Sequence, residues 1–157
     1  MRAGKLVQHM RVNADRMSEG LIQRIRGDDR CSALLLRVPA EEHKRYALEI
    51  YRDLTDWLTA EIDSVVECRY VDLGVQRVHS GVPLSHMFWA VCIAREYLWE
   101  YVQQECLLED PVEFWGGVML LRSINQFFDR ALYFTLIGYQ KAGGGEFAGS
   151  PASLIHG

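Results

Sequence analysis

The sequence predicts an all-α protein: one helical-bundle domain of about five helices over residues 1–141, then a flexible Gly/Ser-rich tail over 142–157. Three observations carry this. Apolar residues recur at three- and four-residue steps through most of the chain, which is the period of a helix with one buried face. No convincing pair of alternating, strand-like runs occurs. After Lys141 the composition changes abruptly to "AGGGEFAGSPASLIHG", a flexible composition. A chain of 157 residues, 49% hydrophobic with 4 Trp, 7 Tyr and 6 Phe, can bury a core without disulfides or a structural metal.

The first helix is expected from Lys5 to Arg26, carrying Leu6, Met10, Met17, Leu21 and Ile25, and stopped by Gly27-Asp28-Asp29. Cys31 to Leu36 is a short apolar piece, a helical turn or a bridge. Pro39 with Glu41 and Glu42 opens the next helix, since proline suits the first turn and acids suit the positive end. There Tyr46, Ala47, Ile50, Tyr51, Leu54, Trp57 and Leu58 form the apolar stripe, and Arg45, Glu49, Arg52, Asp53 and Asp56 fill the solvated face. Helix continues past a bend near Ala60 to His79. Gly81 stops it, where a left-handed cap is cheapest.

Val82-Pro83 restarts the chain, with Ser85 able to cap. Leu84, Met87, Phe88, Val91, Leu98, Tyr101 and Val102 make the inner stripe of this helix. Trp89, Ile93 and Trp99 fall off it and mark a second apolar face, read as an interaction surface. Asp110-Pro111-Val112-Glu113 opens the last helix as a cap followed by proline at the first position. From Phe114 to Tyr139 it is apolar around much of its circumference, as a central helix is. Arg122, Asn125, Gln126, Asp129 and Arg130 make it too polar for a membrane span. The tail carries two apolar islands, Phe147 and Leu154-Ile155, and is either a linker or a tethered docking peptide.

Chemistry is sparse. The net charge of −4, with 14 Arg and 3 Lys spread without a run, leaves no footprint for nucleic acid. Cys31, Cys68, Cys92 and Cys106 form no C-x-x-C, so neither a zinc knuckle nor a redox pair is spelled out. Reduced thiols in the cytoplasm are the expectation, with Cys92 and Cys106 acting as small hydrophobes. No Glu-x-x-His, His-x-x-x-His or His-x-x-x-Glu occurs, so no metal is expected from a helical face. No G-x-S-x-G elbow and no phosphate loop is present, and a non-enzymatic role is expected. His79 and His86 are the candidate ligand or haem contacts. Seven residues along a continuous helix rise about 10.5 Å, too far for one shared ion. His86 as a single axial haem ligand is the alternative, against a histidine that caps or solvates a helix end.

The order of parts resembles a known family. "LGVQRVHSGVPLSHMFWA" resembles the corner in the N-terminal sensor domain of RsbR-type stressosome co-antagonists: an arginine-containing helix, G-[VI]-P-L, then a long helix rich in Leu, Arg and Trp. "VPAEEHKRYALEIYRDLTDWL" is similar to that family's P-[AE]-E-E helix, and "INQFFDRALYFTLIGYQ" to its last helix. The resemblance spans about Met10 to Tyr139. It implies a globin-like helical arrangement, a homodimer, and a bacterial signalling role played through protein–protein contacts. It also implies no haem, because family members generally lack the pocket. The chain departs from the family pattern after Tyr139, where the Gly-rich tail stands in place of an output module. The expected function is therefore a sensor-like or scaffolding domain acting by protein contact. The alternatives are a haem or small-ligand sensor, and an accessory or cargo subunit tethered by "SPASLIHG".

Overall fold

A computed structural model describes residues 3–105 and 111–143, with side-chain surroundings for all of these except 105 and 111–116. The described residues form seven α-helices and one 3-10 turn: α1 Ala3–Val12, α2 Ala14–Arg26, the turn Asp29–Cys31, α3 Ser32–Arg37, α4 Ala40–Ala60, α5 Asp63–His79, α6 Leu84–Glu105 and α7 Pro111–Lys141. Among them no helix is long and apolar enough to cross a membrane.

The count exceeds five for local reasons. The expected 5–26 helix divides at Asn13. Its side-chain amide donates to the His9 carbonyl and to the Tyr101 hydroxyl, a competition with the helix ladder that short polar side chains offer. The 31–36 piece is helical, and Asp28 opens the turn before it by accepting the Arg30 backbone N–H at 3.0 Å. The bend expected near Ala60 is a full break: Glu61 sits in the left-handed region at φ 51°, and α5 returns antiparallel to α4, so that Tyr46 meets Arg77 and Asp53 meets Tyr70. Gly81 stops α5 at φ +78°, and Pro83 starts α6 by accepting from the His86 and Met87 amides.

Phe127 on α7 is the centre of the core. Tyr70 and Phe128 meet it edge-on at 6.0 and 5.2 Å, and Trp57 lies at 6.5 Å. Leu6, Met10, Met17, Leu54, Leu98 and Ile124 close around this cluster, all essentially inaccessible. The tightest helix pair is α5 on α7, and two glycines make it possible. A Cβ on Gly74 would stand 2.4 Å from the Thr135 carbonyl oxygen, and one on Gly138 would stand 2.2 Å from that of Val71. By contrast α4 packs on α2, and few α4 residues approach α5 closely. Long side chains span the gap between those two helices instead.

Two sequence expectations for α6 need correction. Ile93 is 6% exposed and belongs to the core, whereas Phe88, placed on the inner stripe, is 43% exposed. The chain's own α2, 3-10 turn and α3 pack on α6, and the turn covers the second face at Trp89. Trp89 Nε1 donates to Asp28 Oδ2 at 2.9 Å, with the Arg30 guanidinium 3.9 Å over its ring. Trp99 is half-buried against the core. The apolar 31–36 piece was legible as a helical turn or bridge, but a six-residue helix has no periodicity from which to read that it covers α6. Phe147, Leu154 and Ile155 lie outside the described residues.

Candidate functional site

The gap between α4 and α5 is a cavity of about 330 Å³, closed below by α2 and α6 and at one end by Leu34, Leu35 and Val38. Its size falls at the lower end of small-molecule sites. Helical spacing lines it: His43, Tyr46, Ala47, Ile50 and Asp53 on α4 and Tyr70, Leu73, Gln76 and Arg77 on α5 each recur every three or four residues. On α6 the spacing brings up Met87, Ala90, Val91 and Ala94. The two alanines are small enough to leave the space open. Leu21, Ile22 and Ile25 add to the apolar lining, and the charged side chains Arg45, Glu49, Arg69 and Asp72 complete the wall.

Arg77 stands at one end of this largely apolar space. It is 3% exposed, and its guanidinium carbon lies 4.1 Å from the centre of the Tyr46 ring. Among the described residues its guanidinium has no ion pair and no hydrogen bond, and Nε is a buried donor without an acceptor. Buried arginines are ordinarily paired, because an unpaired buried charge is costly. The corner after α5 fixes its backbone: the Val82 N–H donates to the Arg77 carbonyl at 3.0 Å, and Tyr139 donates to the Val82 carbonyl at 2.9 Å. Burial holds the Tyr139 phenol well above its usual range, so it stays a donor.

Asp53 stands at the other end, 8% exposed. Tyr70 donates to its Oδ2 at 3.2 Å. Arg69 Nη1 forms an ion pair with Oδ1 at 3.0 Å, and Oδ1 is buried without a hydrogen bond. Burial pushes the Asp53 carboxyl up to about 6, against the opposing pull of Arg69 and the Tyr70 hydroxyl. This corrects the sequence assignment of Asp53 to the solvated face. His43 supplies the third polar group. Its Nε2 is 2.9 Å from the Val38 carbonyl, which leaves Nδ1 a buried acceptor with no partner. All three of the unsatisfied buried side-chain atoms among the described residues therefore belong to residues lining one cavity. Native interiors leave only a few such groups unpaired, and their shared place on one cavity wall makes it the candidate site.

The histidines singled out by sequence lie elsewhere. His86 Nδ1 accepts the Ala33 N–H at 3.1 Å, one of the free amides opening α3, and His79 is exposed in the last turn of α5. Neither lines the cavity. Among the described residues no three His, Cys, Asp or Glu side chains cluster as metal ligands do. Burial pushes the Cys31 thiol up to about 11 and raises that of Cys92, which keeps both in the unreactive thiol form.

Sequence reading missed Arg77 although a signal was present. Val66, Tyr70, Leu73 and Arg77 fall at four-, three- and four-residue steps, so the arginine occupies a core position of the α5 stripe. Asp53 does the same on α4 after Tyr46 and Ile50. A charge on the buried side of a helical pattern was the clue in both. No family model, curated protein or solved structure matches the chain.

Proposed function

We propose that the chain is a non-enzymatic, sensor-like helical domain whose signal is a small ligand taken into the α4–α5 cavity. The observation that carries this is Arg77, 3% exposed with a buried Nε that has no acceptor among the described residues, on the wall of a largely apolar cavity that it shares with His43 and Asp53. The thin contact between α4 and α5 supports a sensing role, because a ligand bridging two loosely coupled helices changes how rigidly they are held. The sequence resemblance to stressosome sensor domains supports the same role, with output through protein contacts and a dimer as the expected unit. Light scattering on the purified chain checks the dimer.

The cavity itself is tested with a neutral, environment-sensitive apolar dye such as Nile red. Saturable one-to-one binding is expected, lost in Ala90→Phe, which fills the floor. Binding should also slow hydrogen exchange of the α4 and α5 amides. Dye binding unaffected by Ala90→Phe, or the absence of saturable binding, contradicts the proposal.

A further inference from the structure

We infer that the ligand of this cavity is an organic carboxylate with an apolar body, its carboxylate held by the Arg77 guanidinium and its body lying along α4 and α5 toward Asp53. This rests on the proposal that the cavity takes a small ligand, and adds the chemical class and the orientation.

The charge pattern selects an anion at one end. Arg77 is an always-ionised group that the fold buries with an aromatic ring on one face and, among the described residues, no counter-charge. A stacked, planar guanidinium with a free edge matches a carboxylate, which accepts two parallel N–H bonds. The neighbouring Arg45 is exposed and engaged by Glu42, Glu49 and the Tyr46 hydroxyl, so the end offers one uncommitted positive charge. That suits a single carboxylate better than a doubly charged phosphate. At the opposite end Asp53 is ion-paired with Arg69 at 3.0 Å, so that end offers no uncommitted cation for a second anionic group.

Length follows from register. Tyr46 faces Arg77 and Asp53 faces Tyr70. Each pair is separated from the other by seven helical residues, a run of roughly 10 Å. Leu73 and Ile50 occupy the stretch between and offer no hydrogen bond, so the body is apolar. An arylalkanoate such as 4-phenylbutanoate has about this length and shape.

The test uses the full chain, with 4-phenylbutanoate and its neutral isostere 4-phenylbutanamide titrated calorimetrically into wild type, Arg77→Met, Arg77→Lys and, as a control at the exposed neighbour, Arg45→Met. The carboxylate is expected to bind wild type and Arg45→Met about 10-fold or more tighter than the amide, the preference a charge-assisted hydrogen bond gives. Arg77→Met should abolish that preference and Arg77→Lys should keep part of it. If Arg77→Met fails to fold, Arg77→Gln carries the same test. Equal binding of the two probes to wild type, or binding of Nile red but of neither probe, overturns the carboxylate assignment and leaves the cavity proposal standing. A preference that survives in Arg77→Met overturns the role of Arg77. Failure of both probes and of Nile red overturns the ligand-binding proposal itself.

Discussion

Arg77 and Tyr46 form a stacked pair across the α4–α5 gap, guanidinium carbon to ring centre 4.1 Å, in which the cation has the ring but, among the described residues, no anion. An arginine kept for structure would lose stability on replacement. An arginine kept for a ligand imposes a cost on the empty protein, because a buried charge without a partner is unfavourable. Arg77→Met retains the length and apolar contact of the side chain. It is expected to leave the ligand-free melting temperature unchanged or raise it by a few degrees, about 1 kcal/mol or less after the lost cation–π contact is counted. A fall of about 3 kcal/mol in chemical denaturation would identify Arg77 as structural.

Asp53 gives a pH signature of defined sign. Its folded carboxyl is raised to about 6 by burial, from an ordinary 3.8, so the folded chain holds the proton more tightly than the unfolded one. Its destabilising effect is absent below the unfolded value and grows as pH rises from about 4 through 6. Arg69, Arg52 and the Tyr70 hydroxyl oppose the shift and Glu49 adds to it. Asp53→Asn keeps an acceptor for Tyr70 and should be more stable than wild type by about 1–2 kcal/mol at pH 7.5. The difference should shrink toward zero by pH 4, as read by urea denaturation at several pH values. An advantage that does not vary with pH would mean that the charge is not its origin.

The glycine crossing predicts a large local effect. A Cβ on Gly74 meets backbone of α7 at Thr135 and Gly138, which no rotamer change can relieve. Gly74→Ala should cost about 3 kcal/mol and lower the melting temperature by about 6–12 °C. Gly4→Ala, where a Cβ meets nothing within 4 Å, is the matched control and should change little.

At the corner between α2 and α6, Trp89→Phe removes the bond to Asp28 while keeping an aromatic ring under Arg30. A loss of about 1 kcal/mol is expected. Arg30 keeps its own two side-chain bonds to Asp28 and, with Trp89, holds that carboxyl well below its usual range. Double-mutant comparison with Asp28→Ala should give smaller losses together than the sum of the singles, since the partners share one network.

The helical stretches from Ala40 onward were legible because their apolar positions keep a steady three-to-four step and Pro39, Gly81 and Pro83 punctuate them. The reversal at Glu61 reads in sequence only as a bend, because no glycine or proline marks it. The α1–α2 division was not, because Asn13 breaks a pattern whose apolar spacing runs straight through it. Ile93 and Trp89 looked like an unpartnered face because the short apolar piece at 31–36, though visible, is too short for its spacing to show which helix it packs on. The site was half legible. Arg77 and Asp53 both sit at stripe positions, but a single charge in a stripe looks like drift of the solvated face until the opposing helix is in place. His79 and His86 drew attention by residue type, yet burial and partners decide chemistry, and His86 is engaged by a backbone amide.

The most direct measurement is the Nε–H resonance of Arg77 in ¹⁵N-labelled protein, assigned by its loss in Arg77→Lys. Among the described residues this donor has no acceptor. On titration with 4-phenylbutanoate it should move downfield and exchange more slowly with solvent, while the amide probe leaves it in place. A saturating carboxylate that leaves the Arg77 signal unmoved, or moves only those of Arg45 or Arg69, would contradict the assignment of this cavity as a carboxylate site.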